Sequence, residues 1–129
     1  YLDATLRRDF ESGSGLVPAG ARLPGASRWQ VSDSVIYNWS DVTARPSLVF
    51  SHRYISSAPG ELTPAPSRQG GYNLFDLRLS ATLGKVGITG FVENIGDTRG
   101  VSEAATSVRG PVEFLVRPRT VGVTLDYRL

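Results

Sequence analysis

Val121-Gly-Val-Thr-Leu-Asp-Tyr-Arg-Leu129 closes the sequence and decides how the rest of it is read. Val121, Val123, Leu125, Tyr127 and Leu129 alternate with Gly122, Thr124, Asp126 and Arg128. Successive side chains of a strand point to opposite faces, so this stretch is a strand with one apolar face and one wet face. The apolar set runs to the final residue, where a soluble domain usually ends in polar, frayed chain. Apolar-outward, polar-inward alternation is the pattern of a transmembrane barrel strand. The last strand of a soluble sheet with one solvated face has the same pattern, so this stretch alone leaves both open.

Upstream, the same period recurs. Phe75, Leu77, Leu79, Ala81 and Leu83 alternate with Asp76, Arg78, Ser80 and Thr82. Gly84-Lys85 reads as a tight turn. Val86, Ile88 and Val92 then alternate with Gly87, Thr89 and Glu93, with Gly90 and Phe91 fitting less well. A strand from about Arg45 to Ile55 places Leu48, Phe50, His52 and Tyr54 together, with Pro46 at its start because Pro cannot donate to a ladder. A strand from Trp29 places Val31, Val35, Tyr37 and Trp39 on one face, interrupted by Asp33, while Ile36 interrupts the polar set. Residues 1–9 are expected to be a further strand of poor alternation, and the last strand to run from about Leu115 to Leu129.

Between these strands the connections alternate in length. Short turns are expected at about 40–44 and 84–85. Gly-, Pro- and Ser-rich stretches at about 11–27, 56–71 and 95–112 read as long loops. Consecutive antiparallel strands send alternate connections to opposite ends, so one end collects the short turns and the other the long loops. Outer-membrane barrels have this asymmetry. Strands of about ten residues also suit a tilted membrane strand. Trp29, Tyr37, Trp39, Tyr54, Tyr72, Phe75 and Tyr127 lie at or near strand ends, where interfacial aromatic girdles sit.

Composition narrows the function. With 129 residues the chain can build one domain, and 40% hydrophobic and 20% charged residues are ordinary for folded protein. There is no Cys, hence no disulfide framework and no thiol nucleophile. Net charge is +2, from basic residues spread along the chain, which gives no footprint for nucleic acid. No apolar run approaches the roughly 18–20 residues of a membrane helix. The sequence opens without Met or signal peptide, in mid-pattern at Tyr1-Leu-Asp-Ala-Thr-Leu, and is expected to be a piece of a longer polypeptide or a processed product.

Several stretches, in order, resemble the C-terminal barrel of TonB-dependent outer-membrane receptors. Leu23-Pro-Gly-Ala-Ser-Arg-Trp-Gln30 resembles that family's passage from a loop into a strand, and Ser51-His-Arg-Tyr54 the end of the strand after it. Gly71-Tyr-Asn-Leu-Phe-Asp-Leu-Arg-Leu-Ser80 is similar to its third-last strand. Phe91-Val-Glu-Asn-Ile-Gly-Asp97 is similar to its Asn-Leu-Phe-Asp motif, with Gly96 where an aromatic usually stands. Arg117-Pro-Arg-Thr-Val-Gly-Val-Thr-Leu-Asp-Tyr-Arg-Leu129 resembles its closing strand, with Leu129 in place of a terminal Phe.

The resemblance implies an all-β chain of antiparallel, up-and-down strands, about the last six of a plugged barrel of about 22. Six strands cannot close by themselves, because barrels of this kind start at about eight. The implied function is active uptake of a scarce nutrient, such as a siderophore, cobalamin or a saccharide, across the bacterial outer membrane. The implied partners are outer-membrane lipid, the rest of the barrel and its plug, TonB through an N-terminal segment outside this sequence, and the barrel-assembly machinery. That machinery is implied to read Val121, Val123, Leu125, Tyr127 and Leu129. Arg53, Asp76, Arg78, Glu93, Asp126 and Arg128 are expected to face the lumen, as ordinary interior polarity or as partners of the plug. Arg68, Arg99 and Arg109 in the long loops are candidates to meet an anionic ligand, or are simply solvated. The competing readings are a passive porin-type channel and a soluble all-β binding module.

Nothing in the sequence argues for catalysis, a cofactor or a metal. His52 is the only histidine and reads as a packed or interfacial residue rather than a ligand. No carboxylate pair sits at a spacing for acid–base work. Ser12-Gly-Ser-Gly15 is loop composition and not a nucleophile elbow.

Overall fold

Alternating sequence becomes strand wherever the alternation is clean. The computed structural model describes residues 1–107 and 109–128. In chain order it contains β1 (Phe10–Ser12), β2 (Gly15–Val17), β3 (Gln30–Asn38), β4 (Ser47–Ile55), β5 (Ala58–Pro59), β6 (Arg68–Gln69), β7 (Tyr72–Leu83), β8 (Val86–Glu93), β9 (Val101–Ser107), β10 (Gly110–Leu115) and β11 (Thr120–Tyr127). There is no helix among the described residues, so the chain is all-β.

Five long strands form one sheet in the order β11-β8-β7-β4-β3. Their pairing is antiparallel. β11 pairs with β8 through Val121↔Val92, Val123↔Gly90, Leu125↔Ile88 and Tyr127↔Val86. β7 pairs with β8 through Leu77↔Val92, Leu79↔Gly90, Ala81↔Ile88 and Leu83↔Val86. Between β4 and β7, the Gly71 N–H donates to Ile55 and the Thr82 N–H to Ala44, so numbers rise along one strand as they fall along the other. Between β3 and β4, the Trp39 N–H donates to Pro46 and the Ser56 N–H to Trp29, which sets Asp33 opposite His52. The turn at Gly84 needs its positive φ of 60°, a conformation that glycine adopts without a Cβ clash.

The chain divides into two compact units. The first gathers Tyr1–Gln30, Tyr54–Tyr72 and Arg99–Val116, that is, all three long connections. The second holds Val31–Arg53, Asn73–Thr98 and the segment from Arg117 onward, the sheet wall itself.

The connection unit is not loose coil. It contains three short hairpins, β1-β2, β5-β6 and β9-β10. Backbone bonds tie the three connections together: the Gly25 N–H donates to Pro59 and the Gly70 N–H to Val101. The Ala104 N–H donates to Oε1 of Gln69 at 2.8 Å. Val17, Ala26, Ala58, Tyr72 and Ala104 are its small core, and they are the buried apolar residues among those described. Among the described residues of the five wall strands, only Tyr72, at the very start of β7, belongs to it.

Two expectations need correction. Residues 1–9 are not a sixth wall strand. Their backbone folds onto the first long connection, with the Leu6 N–H donating to Ala21, the Leu23 N–H to Ala4, and one bridge between Thr5 and Arg22. Pro18 and Pro24 carry no N–H, so no longer ladder forms there. The wall therefore has five strands, not about six. The expected last strand from Leu115 to Leu129 is also shorter: Leu115 ends the separate strand β10, and β11 begins only at Thr120. Pro118 lies between the two, and the Val116 N–H donates to Gly100 rather than to a wall strand.

Candidate functional site

The register places the five apolar sets on one face of the wall. β11 and β8 are aligned with β7 by the pairs given above. Phe50 of β4 stacks on Phe75 of β7 with centroids 6.0 Å apart, so the even residues of β4 share the face of the odd residues of β7. The odd residues of β3 join them, because Asp33 meets His52 across the strand pair. One face thus carries Val31, Val35, Tyr37, Leu48, Phe50, Phe75 to Leu83, Val86 to Val92 and Val121 to Tyr127 in alternation. Within this chain it is uncovered. Val121, Val123, Leu125 and Tyr127 are 64–70% exposed, and β3 is exposed along its whole length. Burying one such side chain is worth about 1.5–3 kcal/mol. A bare apolar face of this extent is the mark of a surface that meets membrane or protein.

Aromatic pairs flank β3. Tyr1 packs on Trp29 at its start, with centroids 4.9 Å apart, and Tyr37 on Trp39 edge-on at 4.6 Å at its end. Such amphipathic rings favour positions where one side is apolar and the other wet.

The opposite face is polar. Arg53, Asp76, Arg78, Glu93 and Asp126 all fall on it, and Arg128 continues its parity, so the structure brings the six expected lumen-facing residues to one side of the wall. Oδ1 of Asp76 accepts the Asn94 N–H at 2.8 Å. Glu93 pairs with Arg117 at 3.2 Å. The Arg78 guanidinium lies 6.0 Å from the centre of the Phe91 ring. Phe91 looks out of place in the sequence because it stands on this polar face. There it covers Gly122, where a Cβ has no room.

Of the residues expected to form an assembly signal, Val121, Val123, Leu125 and Tyr127 line the apolar face of β11, an edge strand of the sheet. Leu129 lies outside the described residues.

The three loop arginines do not converge. Arg68 lines a cleft of about 330 Å³ in the connection unit, together with Arg22, Glu61, Val17, Pro64 and Pro66. Arg99 and Arg109 do not line it. Arg109 lies at the β9-β10 turn, where its N–H meets Oγ of Ser107 at 3.2 Å. Arg22, which the sequence offered no reason to single out, is the arginine that joins Arg68. The volume is at the small end of ligand sites. Glu61 shapes the cleft by accepting the Ser67 N–H at 3.0 Å. Among the described residues, no three His, Cys, Asp or Glu side chains come together as a metal site would require.

No protein-family model, curated protein or solved structure matches this chain.

Proposed function

We propose that the chain is the C-terminal wall of a TonB-dependent receptor barrel in the bacterial outer membrane, and that it serves active uptake of a scarce nutrient: a siderophore, cobalamin or a saccharide. One observation carries the membrane part of this reading. A single antiparallel sheet of five strands has an uncovered, largely apolar face and a polar face behind it. In hydrocarbon, backbone groups must be paired, so strands cross a membrane only as closed barrels. The wall has two edges, β3 and β11. The remaining strands of the receptor would close them, its plug would meet the polar face, and lipid the apolar one.

The assembly machinery would read the outer face of β11, and TonB would engage a segment outside this chain. The folded connection unit, with Arg22 and Arg68 in its cleft, would contribute to holding the nutrient. The chain has no role in catalysis in this reading. The specific choice of a TonB-coupled receptor over a passive channel rests on the five sequence stretches and their order.

Cysteine labelling tests the proposal. The chain has no cysteine of its own, so single cysteines report cleanly. In the full-length protein in outer membranes, Leu79→Cys and Val123→Cys should resist a charged maleimide and react with an apolar one. Ser80→Cys and Thr124→Cys, on the other face, should react with the charged reagent once the plug is removed. Equal reaction of Leu79→Cys and Ser80→Cys with the charged reagent would return the chain to a soluble sheet.

A further inference from the structure

The apolar face of the wall is interrupted in one place. Asp33 of β3, His52 of β4 and Asn73 of β7 form a row across three neighbouring strands. Nδ1 of His52 lies 3.0 Å from Oδ1 of Asp33, and Nε2 lies 2.9 Å from Oδ1 of Asn73. Phe75 stacks beside the row, 4.8 Å from the His52 ring, with Phe50 behind it. The Asp33 side chain is 60% exposed. Among the described residues, the second Asp33 oxygen and the Asn73 amide nitrogen make no hydrogen bond.

We propose that this row docks a lipid with a neutral saccharide headgroup. The inference rests on the barrel reading above. A carboxylate is costly at the centre of a bilayer, and the cost falls towards the interface. The row suits the interface: Asp33 is near the start of β3, His52 near the end of β4 and Asn73 near the start of β7, all on the side of the long connections. Beyond it the face is apolar through Val35, Phe50, Leu48 and Leu77, which suits acyl chains.

The polar end then selects the headgroup. A free carboxylate oxygen accepts, and a free amide donates, as vicinal hydroxyls require. Both ring nitrogens of His52 face acceptor oxygens, so the Asp33 charge is paired within the row, which offers a phosphate no free cation. The neighbouring ring surfaces pack against the C–H face of a sugar. The complementarity is therefore to an uncharged polyol carried on acyl chains.

The test uses the full-length protein in nanodiscs that contain equal parts of galactosyl diacylglycerol, phosphatidylethanolamine and phosphatidylglycerol. Native mass spectrometry counts the lipids it retains on release. The galactolipid should be retained about fivefold over phosphatidylglycerol, the ratio expected of one added net hydrogen bond. Asp33→Leu and Asn73→Leu, each checked for heat-modifiable migration on a gel, should abolish that preference. The wild-type comparison of the three lipids stands even if neither variant folds. Equal retention, a preference for phosphatidylglycerol, or a retained second copy of the protein without lipid would each overturn the inference while leaving the barrel intact. Failure of the protein to enter the nanodiscs would overturn the barrel reading and this one with it.

Discussion

Leu79→Arg and Leu83→Arg form a matched pair that separates a membrane wall from a solvated sheet. Both leucines are on the apolar face of β7, and both are about half exposed within this chain, at 49% and 57%. If the face meets water, arginine is tolerated equally at the two sites, with costs within about 0.5 kcal/mol. If it meets lipid, depth decides. β7 has 12 residues. At about 3.3 Å per residue and a tilt near 40°, it crosses roughly 30 Å. Leu79 then lies near the middle of the apolar band. Leu83 lies about 10 Å lower by the same geometry, beside the Gly84 turn. Arginine should cost about 2–4 kcal/mol at Leu79 and about 0–1 kcal/mol at Leu83. Guanidinium unfolding of the full-length protein in phospholipid vesicles, followed by tryptophan fluorescence, gives both numbers. Equal costs at the two sites would refute the depth argument, whatever their size.

Three further outcomes follow from local packing. Asn94 is buried and holds a positive φ of 51°. Its side chain accepts the Thr98 N–H and donates to the Thr98 and Arg117 carbonyls, at 2.8–3.0 Å. Asn94→Ala should cost about 2–4 kcal/mol in the same unfolding assay, since it orphans several of these groups. Asn94→Gly should recover only the part owed to φ. Gly100→Ala would drive a methyl into the Tyr72 ring, so it should cost about 1–3 kcal/mol and speed proteolysis of residues 99–116. Gly90→Ala has open space and should be neutral or stabilising by up to about 1 kcal/mol, because glycine is unfavourable within a strand.

What the sequence could express was decided by period. Strands β7 and β11 alternate cleanly, β8 does so except at Gly90 and Phe91, and their faces follow from parity. Assigning six charged residues to one side needed no coordinates, because a strand leaves only two choices per residue. Asp33 looked like a flaw in β3, since its compensation lies on two other strands and pairing register is invisible in one sequence. The connections were harder for a related reason. Gly, Pro and Ser mark turns, but a turn between two-residue strands has the same composition as coil, so the hairpin β5-β6 reads as loop. Arg22 and Arg68 are 46 positions apart in the chain and meet only because the first and second connections fold together.

The two units differ in what would hold them. The connection unit buries Val17, Ala26, Ala58, Tyr72 and Ala104 within itself. Beyond Tyr72 at the start of β7, the wall has backbone ladders but no buried apolar side chain among the described residues. Hydrogen bonds contribute little net stability in water, about 1 kcal/mol each, because the unfolded chain bonds to water instead. In a bilayer that competitor is missing, and an unpaired peptide group costs several kcal/mol. A single uncovered sheet of this kind is thus weakly held in water and strongly held in lipid. The residues that stay bare in the isolated chain, from Val31 on β3 to Tyr127 on β11, are the ones a membrane would cover.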